Sequence, residues 1–373
     1  MKRILAVMTV MCFWSSPCRG AETVVVAEDD GSDAPRQPQM TIDGKGVVHV
    51  AFGKGKAGFY CQSSDEGRTF SSPVQLRGYE ALAIGMRRGP RIAATEKGLC
   101  ISLIGGPTGK GGEGDLLAFT STDEGETWKD PVRVNESARS AREGLHAMAA
   151  GPKGAVCCVW LDLRNKGTEI MASVSNDGGK TWRANQLVYR SPDGSVCECC
   201  HPSVAYGPDG QLHVMWRNSL GGNRDMYVTT SKDGGKTFTN AKKLGSVTWE
   251  LDACPMDGGC ISVAPNGSIA TSWRRDKDIF LTSKKSPRGQ LVGTGRQPWV
   301  TTNTSGDYLV WVSSKGGDLM LLSSGHDHPL RLAAGADDPV IASDPRGKGI
   351  VIVAWESRSH AKGSILCQIV IDK

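Results

Sequence analysis

The sequence has 373 residues, of which 39% are hydrophobic, 22% charged and 6% aromatic, and it contains 47 glycines. This is the composition of a globular protein with excess glycine, and it excludes a disordered chain, a collagen helix and a coiled coil. The formal net charge is +5 at pH 7, and Lys2, Arg3 and Arg19 lie within the first 20 residues. So small a charge predicts no nucleic-acid partner and no attraction to an anionic membrane.

The N-terminus has the three parts of a secretory signal. Lys2 and Arg3 precede an apolar run over residues 4–14, and the small residues Cys18 and Gly20 would stand at the −3 and −1 positions of a cleavage site. We therefore predict that residues 1–20 are a signal peptide cleaved near Gly20, and that residues 21–373 form one secreted or periplasmic domain. No later segment has 18 uncharged apolar residues in succession, so no membrane insertion is expected.

One phrase, of the form S-x-D-x-G-x-T-W/F, returns four times at spacings of 58, 54 and 56 residues. Its carboxylate can accept bonds from the N–H groups of its own turn, its glycine supplies a positive φ, and its aromatic ring can pack beneath the loop. The phrase therefore predicts a β-hairpin whose aspartates are structural. These aspartates are Asp65, Asp123, Asp177 and Asp233.

A second repeat runs through the whole chain. A glycine precedes each run of β-branched and apolar residues, and a proline usually stands eight positions before that glycine. The pairs are Pro38 with Gly46, Pro90 with Gly98, Pro202 with Gly210, Pro298 with Gly306 and Pro339 with Gly347, with degenerate copies at His146 with Gly154 and Gly259 with Gly267. Successive glycines are 39 to 57 residues apart. Modules of this length with four short strands are typical of propeller blades.

The fold class predicted from these repeats is an all-β, single-domain β-propeller with four-stranded antiparallel blades. Seven modules predict seven blades, and six is the alternative if the two short modules merge. The valine-rich residues 23–28 are expected to complete the last blade, because the last module has only three evident strands. Pairing the first strand with the last module would remove the exposed sheet edges.

The repeated phrase and the modular register resemble the Asp-box, or BNR-repeat, β-propellers of the sialidase superfamily, over essentially all of the mature chain. The resemblance implies an exo-α-sialidase-like glycoside hydrolase whose partner is an acidic glycan or glycoconjugate, and we expect the protein to be a monomer. Asp-boxes also occur in non-catalytic propellers, so a carbohydrate- or protein-binding propeller is the alternative. The family's R-I-P motif, which supplies an arginine to the substrate carboxylate, is matched here as R-x-P only, because Arg36-Gln37-Pro38 has Gln in place of Ile.

Three arginines stand two residues before the proline of their modules, where the innermost strand of a blade would begin. They are Arg36, Arg88 and Arg296. Planar guanidinium groups match a carboxylate through two parallel bonds, so these arginines are candidates to hold an acidic sugar. The alternative is that each pairs with a neighbouring acid such as Asp337 or Asp338.

The resemblance also implies a general acid/base aspartate in the first blade and a tyrosine nucleophile late in the chain. Residues 51–57 contain no carboxylate, and Tyr308, the tyrosine that is late enough, lies within a predicted strand. Carboxylates in loops that follow other second strands are the substitute acid/base candidates, with ordinary solvated loop charges as the alternative. They are Asp162, Asp225, Asp276 and Glu356.

Five cysteines and one histidine lie in two segments that the repeat register assigns to neighbouring blades. They are Cys197, Cys199, Cys200, His201, Cys254 and Cys260. In an exported protein we expect at least one disulfide between the two segments. Five sulfurs leave one unpaired, so zinc or copper bound by thiolates and histidine is the alternative, and no other cofactor is expected. The remaining mature cysteines lie in apolar strands and are predicted to be buried thiols.

Overall fold

The computed structural model describes residues 22–109, 112, 114–284, 286–358 and 363–371. These residues form 28 β-strands and one 3-10 helix at Pro152–Gly154. The predicted signal peptide, residues 1–20, lies outside the described ranges. Within those ranges no helix has the length and apolar character needed to cross a membrane.

The strands form five small antiparallel sheets and one larger sheet. The first described strand, which belongs to the larger sheet, is β1 (Thr23–Glu28). The first small sheet contains β2 (Pro35–Ile42), β3 (Val48–Lys54), β4 (Ala57–Ser63) and β5 (Val74–Gln75). The second contains β6 (Ala81–Leu82), β7 (Arg91–Thr95), β8 (Gly98–Gly106), β9 (Asp115–Ser121) and β10 (Val132–Arg133).

The next three sheets have four strands each, paired in chain order. The third contains β11 (Ala141–Ala150), β12 (Val156–Asp162), β13 (Glu169–Ser175) and β14 (Gln186–Tyr189). The fourth contains β15 (Ser203–Tyr206), β16 (Leu212–Arg217), β17 (Met226–Ser231) and β18 (Lys242–Lys243). The fifth contains β19 (Cys260–Val263), β20 (Ile269–Arg275), β21 (Asp278–Thr282) and β22 (Gln290–Thr294).

The larger sheet has seven strands, and its central strand serves two sets of partners. Besides β1 it contains β23 (Arg296–Thr302), β24 (Asp307–Val312), β25 (Gly317–Ser323), β26 (Leu330–Ser343), β27 (Ile350–Ser357) and β28 (Ser364–Ile371). The first half of β26 pairs with β25, and its second half pairs with β27. The strand therefore runs from one four-strand set into the next without a turn.

The two ends of the chain meet in this sheet. β1 pairs antiparallel with β28, so that Thr23 lies opposite Gln368 and Val24 opposite Cys367. This pairing confirms the prediction that residues 23–28 join the last module. Buried side chains of β3, such as Phe52, also pack in one core with Ile352 of β27. The first and last sheets are thus neighbours, and the propeller-like arrangement predicted from the repeats is confirmed.

The innermost strands contact one another in a ring. Each of β2, β7, β11, β15, β19, β23 and β26 contacts the next, and β26 contacts β2. Residues of these seven strands line a central cavity of about 270 Å³. The second strands are rich in β-branched and aromatic residues, and several carry a buried tryptophan near their end because neighbouring sheets cover both of their faces. These tryptophans are Trp160, Trp216, Trp273, Trp311 and Trp355.

The repeated phrase forms a tight turn in each of the first four sheets. In the first copy, Asp65 accepts bonds from the N–H groups of Arg68 (3.0 Å) and Thr69 (2.9 Å) and from the Thr69 hydroxyl (2.7 Å). The Ser63 hydroxyl donates to Asp65 (2.7 Å) and accepts from the Gly67 N–H (2.8 Å). Hydrogen bonds from the Ser63 and Thr69 side chains lower the pKa of Asp65. The carboxylate is therefore fully used in holding its own turn.

Candidate functional site

Buried polar side chains bond across the ring where the innermost strands begin. Arg87 donates from Nη2 to the carbonyl of Gln297 (2.6 Å) and from Nη1 to the carbonyl of Pro339 (3.0 Å). The Gln297 amide donates to Asp338 Oδ1 (2.7 Å), and the Asp338 N–H donates to Gln297 Oε1 (2.9 Å). The loop that carries Arg87 thus reaches from the second sheet to β23 and β26. We call this end of the ring the channel mouth.

A backbone irregularity aims these side chains inward. Gln37, Gln297 and Asp338 each precede a proline and have positive φ values of 57°, 57° and 46°. The strand register shifts at each of these positions, as it does at a β-bulge. A positive φ is uncommon for residues with a Cβ and persists only where the surrounding contacts hold it. Here these contacts are the hydrogen bonds that Gln37, Gln297 and Asp338 make at the channel mouth.

Arg36 and Glu356 meet at the channel mouth. Glu356 Oε1 accepts bonds from the Gln37 N–H (2.7 Å) and the Gln37 side-chain amide (3.0 Å). Glu356 Oε2 lies 3.6 Å from Arg36 Nε, and the Arg36 side chain is 44% exposed while that of Glu356 is 10% exposed. The pair therefore joins a solvent-accessible cation to a nearly buried carboxyl group.

Burial raises the pKa of Glu356 to about 7, and the negative charge of the nearby Asp338 raises it further. The bond from the Gln37 N–H and the charge of Arg36 act in the opposite direction but are outweighed. A carboxyl group with this pKa exists in both protonation states near neutral pH, which is what a general acid/base requires. Among the four carboxylates proposed from the sequence, Glu356 is the one that the structure places in the polar network of the channel mouth.

The other two arginines proposed from the sequence lie near the same network. Arg296 begins β23, and its Nη2 donates to the Met86 sulfur (2.9 Å), two residues from Arg88. Arg88 itself forms an isolated bridge with Gly85, which makes a tight turn. The adjacent Gly89 packs against Gln37, because a Cβ built on this glycine would lie 2.7 Å from the Gln37 Cβ. Segments carrying all three arginines therefore meet at the channel mouth.

Asp162, at the end of β12, is held in a closed set of bonds. Its carboxylate accepts from Arg164 Nε (2.8 Å), from the Trp160 indole (2.7 Å) and from the Ser140 hydroxyl (2.8 Å). Burial opposes ionisation, but the bonds from Arg164, Trp160 and Ser140 outweigh it, so the pKa of Asp162 is lowered. A carboxylate in this setting has no free oxygen lone pair directed at solvent and is suited to holding its loop.

Asp225 and Asp276 lie outside the channel mouth network. Asp225 pairs with Lys243 Nζ (2.9 Å) and accepts a bond from the Trp249 N–H (2.9 Å). Asp276 is exposed at the turn between β20 and β21, with a φ of 52°, and its carbonyl accepts a bond from Arg274. The structure therefore does not bring these two carboxylates together with Glu356.

The cysteine-rich segments are joined by one disulfide. Cys199 and Cys254 are bonded, and their Cα atoms are 6.2 Å apart. The Cys197 sulfur lies 3.4 Å from that of Cys200 and 3.8 Å from that of Cys199. Cys260 is separate, because its thiol donates to the Val300 carbonyl (3.5 Å) in the core between the fifth and the larger sheets. The disulfide expected between the two segments is thus present.

His201 is not part of the compact group of sulfurs. Its ring is buried and stacks on Trp299, with ring centroids 5.9 Å apart. Arg87 lies over the same indole, at 4.9 Å from the ring centre. Burial, together with the charges of Arg87 and Arg91, lowers the pKa of His201 well below its usual value. The imidazole is therefore neutral and belongs to the channel packing. Within the described residues the sulfurs of Cys197, Cys199 and Cys200 form the compact group of possible metal ligands.

Sequence reasoning did not identify the residues that link the blades at the channel mouth, namely Gln37, Arg87, Gln297 and Asp338, although it named Asp338 as a possible partner of an arginine. One signal was available, since Arg-Gln-Pro occurs twice, at residues 36–38 and 296–298. In both copies the glutamine adopts the positive φ and enters the network. A repeated polar residue directly before a module's proline therefore marks the inward-pointing position. Arg87 has no such signal, because it precedes its proline by three residues.

Comparison with known proteins gives one family match. The model for the BNR repeat-like domain matches residues 102–292. No curated protein matches the chain in sequence.

Several solved structures share the fold at low identity. A protein of unknown function from Dyadobacter fermentans is 16% identical, with a TM-score of 0.59 over 95% of this chain and 99% of that chain. An α-L-arabinanase from Penicillium chrysogenum, solved with arabinobiose, is 15% identical, with a TM-score of 0.58 over 94% of this chain and 97% of that chain. An ulvan lyase, solved with a saccharide of glucuronic acid and sulfated rhamnose, is 11% identical, with a TM-score of 0.58 over 92% of this chain and 95% of that chain.

Proposed function

The chain belongs to the BNR repeat-like family of sialidase-superfamily propellers, and on this basis we propose that it is an exported glycoside hydrolase that binds an acidic glycan at the channel mouth. Two propellers of the same fold, the Penicillium arabinanase and the ulvan lyase, act on glycans. The observation that carries the proposal for this chain is the contact between Arg36 and Glu356, which sets an accessible cation beside a buried carboxyl group.

In the proposed site the arginines recognise the acidic group of the sugar. The exposed face of the Arg36 guanidinium is open to a carboxylate, which would be bound through two parallel hydrogen bonds. Arg296, which contacts Met86 of the 85–88 turn, is partly buried, and its Nε has no hydrogen-bond partner among the described residues. Arg88 contributes a third positive charge from the turn itself. A sugar carboxylate would therefore be preferred over a neutral hydroxymethyl group at this position.

Glu356 is assigned as the general acid, because a glycosidic oxygen must be protonated as its bond to the anomeric carbon breaks. A second carboxylate lies beside it, since Asp337 of β26 is the direct cross-strand partner of Glu356 in β27. Directly opposed residues of antiparallel strands project to the same face of the sheet. Asp337 forms an ion pair with Arg358 and accepts a bond from the Gly316 N–H (3.0 Å). The two carboxyl groups thus occupy different environments, as an acid and its partner require.

Release of a fluorescent aglycone tests this proposal. Purified mature protein would be assayed with sialic acid and glucuronic acid glycosides and with a neutral galactoside. We expect release from an acidic glycoside only, and a loss of at least about 100-fold for Glu356→Gln, within the usual contribution of a general acid. The matched control is Glu136→Gln, an exposed carboxylate outside the channel mouth. Full activity of Glu356→Gln would contradict the assignment.

Binding without hydrolysis is the second candidate function, and one observation favours it. Both Glu356 oxygens are already engaged, one by Gln37 and the other by Arg36. In addition Tyr308, the tyrosine that the sialidase resemblance would make the nucleophile, is completely buried in β24. Tight binding of an acidic glycan by the wild-type protein, with no release of aglycone, would establish this candidate in place of the first.

We also propose that the ring has seven blades, with the larger sheet counting as two. The change of partners along β26 supports this count, because its first half ends one four-strand set and its second half begins the next. The seven innermost strands around the central cavity support it as well. An experimental structure of the mature protein would test the count, and six innermost strands around the cavity would contradict it.

A further inference from the structure

Four sulfurs lie together at the wall of a cleft between the fourth and fifth sheets. The cleft has a volume of about 320 Å³, and its lining includes Cys197, Cys199 and Cys254. Cys254 is exposed and Cys199 half-buried, whereas Cys197 and Cys200 are 3% and 1% exposed. The disulfide of Cys199 and Cys254 therefore faces the cleft, and two thiols lie directly behind it.

The two buried thiols are in contact with each other and with the disulfide. Cys197 and Cys200 have the Cys-x-x-Cys spacing, and their sulfurs are 3.4 Å apart. The Cys197 sulfur is 3.8 Å from the Cys199 sulfur of the disulfide. A thiolate must reach a disulfide sulfur to exchange with it, and here the sulfurs already touch. Other buried cysteines, such as Cys157 and Cys158, lie in the strands of the third sheet, away from this group.

The positions of the two thiols make them unequal. Cys197 lines the cleft, and its sulfur is in contact with Cys199 of the disulfide. Cys200 is 1% exposed, and its sulfur is in contact with that of Cys197. Cys197 is therefore placed to attack the disulfide, and Cys200 is placed to resolve the bond that Cys197 forms.

From this geometry we propose that Cys197, Cys199, Cys200 and Cys254 form a thiol–disulfide exchange site that acts on an external thiol or disulfide entering through the cleft. The inference does not depend on the glycan function. In the first step the Cys197 thiolate attacks Cys199, a Cys197–Cys199 bond forms, and Cys254 leaves as a thiolate. In the second step the Cys200 thiolate attacks Cys197, forms the Cys197–Cys200 disulfide and releases Cys199 as a thiolate.

The internal exchange balances without an added oxidant or reductant. One sulfur–sulfur bond breaks and one forms, so two electrons pass from the Cys197 and Cys200 pair to the Cys199 and Cys254 pair. The protons lost by the first pair are taken up by the second through solvent. The product exposes a dithiol at the cleft, where it can reduce an external disulfide and become the Cys199–Cys254 bridge again. The chain then holds two disulfides, and two external thiols restore the Cys197 and Cys200 pair.

The experiment maps the disulfides of the native, full-length mature protein in glutathione redox buffer. Samples are quenched with acid, alkylated and digested without reduction, and the bridged peptides are quantified by mass spectrometry. We expect both the Cys199–Cys254 and the Cys197–Cys200 bridges in the wild type. The rate of exchange should rise with pH, because a thiolate is the attacking species in both steps.

Variants distinguish the two steps. Cys197→Ser should form no bridge to Cys200, and Cys199–Cys254 should be its only bridge among these cysteines wherever the glutathione ratio leaves a disulfide. Cys200→Ser should accumulate a Cys197–Cys199 bridge or a glutathione adduct on Cys197, because the second step is lost. The matched control is Cys260→Ser, which removes a buried thiol of the same region that bonds to a carbonyl. It should exchange at the wild-type rate, and circular dichroism would show that each variant is folded.

Two results would overturn the proposal. One is a wild-type map that contains only the Cys199–Cys254 bridge, with Cys197 and Cys200 unmodified by glutathione over the whole pH range. The other is one equivalent of zinc or copper retained by protein whose four cysteines are all reduced, which would make the cluster a metal site. Elemental analysis of the same preparation measures that equivalent.

Discussion

Gly125, in the second copy of the repeated turn, lies directly against the ring of Tyr60 in the preceding sheet. A Cβ built on this glycine would be 2.2 Å from Tyr60 Cε1, and the glycine has a φ of +89°. The corresponding glycines of the other copies also meet the preceding sheet, Gly67 at Ile352 and Gly179 at Cys100. In these copies the repeated turn therefore packs its own blade against the one before it.

The first prediction concerns this contact. Gly125→Ala should lower the free energy of unfolding by about 2–4 kcal/mol, because the new methyl group overpacks the interface and the residue keeps a positive φ. The matched control is Gly267→Ala, whose φ is +80° but whose Cβ would meet nothing within 4 Å. The control should lose only about 1 kcal/mol of unfolding free energy, which is the cost of holding an alanine at a positive φ. Equal losses in chemical denaturation would show that the contact with Tyr60 is unimportant.

The repeated turns could be predicted from the sequence because their hydrogen bonds join residues within one short segment. Asp65 bonds only to residues at most four positions away, so its role is contained in the local spacing. The predicted pairing of residues 23–28 with the last module needed one more argument, that an open ring would leave sheet edges exposed. The larger sheet was not foreseen, because no local signal shows that β26 passes from one set of partners to the next without a turn.

The second prediction concerns ring closure by β1. A mature chain that begins after Asp29 should lose at least about 3 kcal/mol of unfolding free energy, because Val26 and Ala27 are buried in the core of the first and last sheets. The same deletion exposes the edge of β28 and should promote aggregation. A chain that begins at Thr23 is the control and should match the full mature protein. An unchanged melting temperature for the shorter chain would contradict closure through β1.

The third prediction concerns the arginines of the channel mouth. Arg36→Ala, Arg88→Ala and Arg296→Ala should each weaken binding of sialyllactose about 10- to 100-fold, since a hydrogen bond to a charged group contributes about 1.5–3 kcal/mol. Binding of neutral lactose should change little. Arg331→Ala, which removes an exposed arginine paired with Asp318, is the control. Titration calorimetry measures all four variants, and equal losses for both sugars would show that the arginines are structural.

The candidate site was harder to predict than the fold, because its partners are distant in the chain. Gln37 and Glu356 are 319 residues apart, and Arg87 bonds to carbonyl groups 210 and 252 residues away. The register could place Arg36, Arg88 and Arg296 at the starts of innermost strands, but it could not show which loop reaches across the ring. It also could not separate Glu356 from Asp162, because both are buried and they differ in the partners that each carboxylate finds.

The last prediction follows from the raised pKa of Glu356. The usual pKa of 4.5 applies to the unfolded chain, and the folded value is about 7, so the folded protein holds this proton more tightly. The contribution of Glu356 to stability is therefore fully present below pH 4.5 and is lost as the pH rises through 7. Glu356→Gln keeps an uncharged group in the same place and removes this dependence.

The variant should consequently gain stability over the wild type as the pH rises. From pH 4.5 to pH 8 the difference in unfolding free energy between Glu356→Gln and the wild type should grow by about 3 kcal/mol in favour of the variant. Urea denaturation of both proteins across this range measures the difference, in which the effects of titrating groups that do not interact with Glu356 cancel. Glu136→Gln, at an exposed position, should run parallel to the wild type. Parallel curves for Glu356→Gln as well would mean that Glu356 ionises normally in the folded protein and holds no proton for catalysis at neutral pH.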